Sequence, residues 1–294
     1  MINPLYLLFE LFCRGISILP KRGIYLFADI LFWLGYYAIG YRKKIVFKNL
    51  NNSFPEKSKR QIYKIAKKFY RHLADVMIEN IVILYMKPSR VNKFVIFENI
   101  NLIDDYYKQN KNITTMVGHY GNWEFLPTIA PHISHKTVSV YRPLTNKYFD
   151  RITYQMRQRF KSIPVSISNS YKMILEMEKN RTLYSVGLLA DQSPPKKYTN
   201  YWTHFLNQET PFIQGPEKIA RKFNHVVLFA AIRKKKRGLY QIEFQKLSEN
   251  AKDTSPGEIT EAYANALEKL IREKPEFWLW SHKRWKYNKN GGKL

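Results

Sequence analysis

Residues Thr114–Phe125 read TTMVGHYGNWEF, and the fold turns on how this stretch is divided. The apolar, β-branched run Ile113–Val117 predicts a strand, and Gly118 permits a sharp turn at its end. His119 then emerges at the strand's carboxyl edge. Gly121-Asn122 loosens the backbone, and Trp123–Ile133 reads as a helix. The same alternation continues on both sides. Upstream, Phe94–Phe97 predicts a strand and Ile100–Gln109 a helix. Downstream, Thr137–Tyr141 and Thr182–Leu189 predict strands, with helices over Lys147–Phe160 and Tyr171–Lys179. A long loop, Gln192–Gln214, precedes a helix at Gly215–Lys222. Two strands, Val226–Ile232 and Leu239–Gln245, flank a polybasic turn Arg233–Gly238, and Pro256–Glu273 is the last helix. This order predicts an α/β domain, with a mixed, mostly parallel central sheet and helices on both faces. Before it, Ser53 is expected to cap a helix with Pro55 in its first turn and Ile62, Ile65, Phe69, Leu73, Val76 and Met77 on one face.

The first forty-five residues read differently. Gly23–Gly40 is apolar except for Asp29, is flanked by Lys21-Arg22 and Arg42-Lys43-Lys44, and carries Trp33, Tyr36 and Tyr37. It is close to the ~20 residues a spanning helix needs, and its aromatic and basic residues suit a headgroup zone. No small-residue cleavage site follows it, which argues against a signal peptide. The division expected is therefore a membrane-associated N-terminal helical segment, residues 1–45, spanning or lying on the bilayer, followed by one domain, residues 46–294.

The chain has 49 Lys+Arg against 23 Asp+Glu, a formal charge of +26. Only +4 of this lies in residues 1–45, so the basic surface belongs to the following domain. Drift towards Lys would not by itself deplete Asp and Glu, and such a field implies an anionic partner. A single cysteine, Cys13, excludes an internal disulfide. No G-x-G-x-x-G, P-loop or G-x-S-x-G motif is present. His132 and His135 lack a nearby acidic or thiol ligand to complete a metal site and read as a solvated helix end.

Open α/β sheets bind ligands beyond the carboxyl ends of their strands, where His119 stands. An imidazole exchanges protons near neutrality, and a carboxylate on one ring nitrogen fixes the tautomer so that the other accepts a proton. Glu124, five residues on, can meet His119 across a turn into a helix. With no serine nucleophile beside them, the hydroxyl to be deprotonated belongs to the substrate.

His119-x4-Glu124 within GHYGNWE resembles the H-x4-D/E motif of glycerolipid-type acyltransferases, in the glutamate variant of the lipid A biosynthesis (late) acyltransferases, the lauroyl and myristoyl transferases. Tyr141-Arg142-Pro143, Ala190-Asp191-Gln192-Ser193-Pro194, Thr210-Pro211-Phe212, Gly215-Pro216-Glu217 and the closing Trp278–Trp285 (WLWSHKRW) resemble further segments of that family in the same order. The resemblance implies transfer of a fatty acyl chain from acyl carrier protein to a hydroxyl of a lipid A precursor, without metal or cofactor. It implies His119 as general base and Glu124 as its orienting partner. Arg142 would bind phosphate or oxyanion charge, and Asp191 and Gln192 would line the same cleft. Asn122, primarily a turn former, is kept beside them as a substrate-side candidate. The expected setting is the cytoplasmic face of the bacterial inner membrane, whose anionic surface, with the acidic carrier and the phosphorylated acceptor, suits the basic charge. Another glycolipid or phospholipid acceptor is the alternative, although no E-G-T-R-type phosphate motif appears. A basic nucleic-acid-binding protein or surface scaffold is the rival class. It leaves the N-terminal segment or the GHYGNWE context unexplained.

Overall fold

The computed structural model describes residues 4–287 and 289. Seven strands form the main sheet: β1 (Val95–Phe97), β2 (Ile113–Val117), β3 (Lys136–Tyr141), β4 (Ile163–Ser166), β5 (Tyr184–Leu189), β8 (Val226–Lys236) and β9 (Leu239–Ser248). Their spatial order is β1-β9-β8-β2-β5-β3-β4. Every neighbouring pair is parallel except β8 with β9. The expected mixed, mostly parallel sheet is therefore present. β6 (Trp202–Phe205) and β7 (Gln208–Pro211) form a separate antiparallel hairpin.

The continuous apolar run in β8 is explained by burial on both faces. Val227, Phe229 and Ala231 join one core with Tyr263 and Leu267 of α9 (Glu258–Glu273). Val226, Leu228, Ala230 and Ile232 join a second core with Phe125 and Tyr240. The remaining helices are α1 (Pro4–Ile18), α2 (Lys21–Trp33), α3 (Lys43–Ser53), α4 (Lys59–Tyr85), α5 (Asn101–Lys108), α6 (Lys147–Arg159), α7 (Ile167–Lys179) and α8 (Gly215–Phe223).

Several local expectations are corrected. Ser53 ends α3, and α4 is capped by Ser58, whose hydroxyl and Gln61 form a capping box. Trp123–His132 is 3-10 rather than α-helical, because Pro127 and Pro131 deny it two backbone donors. The polybasic segment is mostly strand: β8 runs to Lys236 and only Arg237-Gly238 makes the turn, with Lys234 on Asp75 and Arg237 on Asp75 and Asp29. His135 is no solvated helix end; it is 2% exposed, with Nε2 against the Lys111 carbonyl. The Gln192–Gln214 loop contains the β6–β7 hairpin, and β4 was not anticipated at all.

No single helix among the described residues is long and apolar enough to cross a membrane. Lys21–Ala38 and Lys43–Ser53 meet the composition test only together, bent by 88°. One side of the N-terminal helices is built into the protein: Ile24, Tyr25 and Ala28 of α2 are buried in the same core as Ile78 and Val82 of α4. The other side is not. Leu7, Leu8, Leu11, Phe12, Leu26, Ile30 and Trp33 are all exposed.

Candidate active site

β2 and β5 are parallel neighbours in register, Val117 opposite Leu189, so the residues after both strands emerge side by side. That register brings His119 and Asp191 together across 72 residues of sequence. His119 Nδ1 lies 2.6 Å from Asp191 Oδ1, and the His119 backbone N–H donates to Oδ2 at 2.8 Å. Gly118 makes the approach possible. A Cβ there would sit 2.6 Å from Leu267 Cδ1, and would come within 3.5 Å of Asp191 Oδ2.

The closing segment supplies the rest of the clamp. The Trp278 indole donates to Asp191 Oδ2 at 2.8 Å, Leu279 N–H to the His119 carbonyl, and Gly121 N–H to the Phe277 carbonyl. Trp278, Trp280 and Trp285 are buried. Burial by itself would raise the Asp191 carboxyl. The His119 ring and amide and the Trp278 indole outweigh it and bring the group down to about 2. Asp191 is thus an ionised acceptor set against Nδ1, and Nε2 points the other way, towards Gln192. Arg284, also buried, contributes positive charge nearby; burial lowers its guanidinium to about 10, so it stays protonated at neutral pH.

His119 Nε2 is 2.9 Å from Gln192 Nε2, where the amide donates to the ring. The imidazole also borders a small pocket of about 200 Å³ lined by Leu73 and Val76 of α4 and by Phe277. The Trp123 indole packs edge-on to the ring, centroids 4.8 Å apart, and lines that pocket as well as a second one. The second is a largely apolar pocket of about 620 Å³ between the sheet and the 123–133 segment, walled by Leu126, Ile129, Val138, Val140 and Leu189.

Glu124 does not meet His119. Its carboxylate accepts from Arg157 Nη2 at 2.9 Å on the wall of the apolar pocket, because Trp123 and Glu124 already belong to a 3-10 segment that carries the side chain away from the turn. The expected His119–Glu124 contact is corrected: the carboxylate on the ring belongs to Asp191. Asn122 is corrected as well. It is 1% exposed and both ends of its amide are used, Oδ1 accepting from Glu124 N–H and Nδ2 donating to Glu79, so it has nothing to offer a substrate. Arg142 lies exposed just beyond β3 and makes no ion pair among the described residues. Glu217, in the first turn of α8, is buried and caps α9 through Gly257 N–H and Thr260 N–H.

Arg157 was not anticipated. Its side chain is 9% exposed, it stacks over Tyr141, and its Nη1 has no hydrogen-bond partner. In the sequence it is one arginine among many on a helix, and only the pairing with Glu124 distinguishes it. Glu79 was equally invisible. Fully buried, it accepts from Tyr25, Tyr240 and Asn122, and burial raises its carboxyl against these donors. Beside it, His72 Nε2 faces the Gly121 carbonyl at 3.2 Å, so α4 braces the turn that carries His119.

Gly121 has φ +64°, and a Cβ would lie 2.8 Å from Ile232 Cγ2 and 3.1 Å from its carbonyl oxygen. Gly121→Ala is expected to cost about 1–2 kcal/mol from the left-handed backbone alone, and more from the overlap. A lowered denaturation midpoint at unchanged m-value checks this.

Among the described residues no group of His, Cys, Asp or Glu is arranged to hold a metal ion. A family model described as bacterial lipid A biosynthesis acyltransferase matches residues 4–287. The chain is 21% identical over 246 residues to the lipid A biosynthesis palmitoleoyltransferase of Escherichia coli (strain K12), covering 83% of this chain and 79% of that protein. The same identity and coverage relate it to the lipid A biosynthesis acyltransferase of Shigella flexneri.

Proposed function

Because the chain belongs to the bacterial lipid A biosynthesis acyltransferases, we propose that it moves a fatty acyl chain from the thioester of acyl carrier protein to a hydroxyl of a lipid A precursor. In this reading His119 is the general base and Asp191 its orienting carboxylate. The observation that carries the reading is the 2.6 Å contact of Asp191 with Nδ1, which orients Nε2 to accept a proton once the Gln192 amide is displaced.

The acceptor hydroxyl displaces the Gln192 amide from Nε2 and passes its proton there as its oxygen bonds to the thioester carbonyl carbon. Asp191 stabilises the imidazolium without taking the proton. Collapse of the tetrahedral intermediate breaks the carbon–sulfur bond, and the departing thiolate takes the proton back from Nε2. The acyl chain occupies the apolar pocket beside Trp123, gaining ~0.8 kcal/mol for each methylene buried. Arg157 Nη1, unpartnered on the wall of that pocket, serves the carbonyl oxygen in the role expected of Arg142.

Incubation of the purified protein with acyl carrier protein thioesters and the phosphorylated disaccharide precursor tests this, with products read by mass spectrometry. One added acyl ester is expected. Hydrolysis alone, with no gain on the acceptor, defeats the acceptor assignment.

The setting in this reading is the cytoplasmic face of the inner membrane, met through the exposed apolar side of α1 and α2. Leu8→Ser with Leu11→Ser should lower the vesicle-bound fraction several-fold at unchanged thermal stability, because both side chains already face outward. Unchanged sedimentation with vesicles rules out this face as the contact.

A further inference from the structure

A cleft of about 970 Å³, separate from the active site, opens between α1, the end of α4 and α6. Its walls carry Arg14 of α1 and Arg151 and Arg159 of α6, with Gln155 between the latter two at helical four-residue spacing. Glu10 is the cleft's one lining carboxylate, and it is already engaged by Arg14 at 2.7 Å and by the Tyr148 hydroxyl. Arg159 is held in place by donating to the Ile83 and Leu84 carbonyls. Burial chiefly lowers its guanidinium; Tyr85 opposes that shift, and the charge of Arg14 adds to it. Three arginines thus face one carboxylate across the cleft. The Tyr85 hydroxyl, buried in the same wall, has no hydrogen-bond partner, and Arg14 lies 5.1 Å over its ring. The rim is apolar: Ile18 lines the cleft at 77% exposure, and Leu7, Leu8 and Leu11 of the same helix are also exposed.

Arginine forks and a free hydroxyl donor suit a phosphate ester, and the adjoining apolar rim suits hydrocarbon. We propose that this cleft binds the phosphate of an anionic membrane phospholipid, whose tails lie against α1. The inference deepens the membrane contact proposed above, and it does not depend on which acyl group is transferred or on the chemistry at His119.

Binding of the full chain to phosphatidylcholine vesicles, with and without phosphatidylglycerol, tests it. The wild type should prefer the phosphatidylglycerol vesicles. Arg14→Gln with Arg151→Gln should raise half-saturating lipid by about 30-fold, from two charges lost near an anionic surface. Lys172→Gln with Lys252→Gln removes the same charge from exposed positions elsewhere and should shift it far less. Gln155→Glu keeps every arginine and should weaken phosphatidylglycerol binding as well, which covers a misfolded double variant. Equal losses in the cleft pair and the control pair would falsify the site. Displacement from vesicles by millimolar inorganic phosphate at constant ionic strength would make it a free-anion site and overturn the lipid assignment. Failure of the wild type to bind any vesicle defeats the membrane reading itself.

Discussion

His119→Ala is expected to lower acyl transfer by ~10²–10⁴ or more, the range for removing a general acid–base group. In the proposed mechanism the imidazole takes the acceptor's proton, with Nδ1 occupied by Asp191 and Nε2 meeting only an exchangeable amide. The fold should survive. The turn keeps its backbone bonds to Leu279 and Phe277, and Asp191 keeps the Trp278 indole and the residue-119 amide as donors. Circular dichroism and vesicle binding should therefore match the wild type while single-turnover transfer collapses. Near-wild-type transfer by the purified variant removes His119 from the chemistry.

The second large effect is at Asp191. Asp191→Asn preserves shape and still accepts from the His119 amide and Trp278, but an amide nitrogen facing Nδ1 favours the tautomer with the proton on Nε2. A loss of ~10²–10⁴ in turnover with little change in substrate affinity is expected, while Glu124→Gln, whose partner is Arg157, should lose much less. If Glu124→Gln falls as far as His119→Ala while Asp191→Asn stays active, the pairing is reversed. Asp191 also leaves a mark on stability. Its carboxyl lies near 2 when folded against 3.8 as the reference, so its stabilisation is complete above pH ~4 and is lost as pH falls towards 2. The amount is of order 2 kcal/mol, and Asp191→Asn should flatten the acid limb of the stability profile over that window.

Much of this architecture was legible in local patterns. Alternating apolar runs and Gly-marked turns announced an α/β domain, and TTMVGHYGNWEF placed a histidine at a strand's carboxyl end. Asp191-Gln192, after β5, falls in the same cleft by the family resemblance. The errors were also local in origin. The His119–Glu124 pairing assumes a turn straight into an α-helix, and a cap at Ser53 assumes that Pro55 opens the helix. Proximity along the chain is a poor guide where a 3-10 segment turns a side chain away. Arg157, Glu79 and the arginine cleft carried no signal, since each is defined by neighbours more than thirty residues distant.

Read alone, the amino-acid order determined the fold class and the histidine just past the end of β2. Those properties follow from hydrophobic periodicity, turn chemistry and side-chain identity, which need only a few adjacent residues. The tertiary structure alone decided which carboxylate holds the imidazole and which arginine faces the apolar pocket. It decided too that α1 and α2 bury one side and expose the other. The parallel register of β2 with β5 is set by the whole sheet's packing, and it makes neighbours of groups that no spacing rule connects.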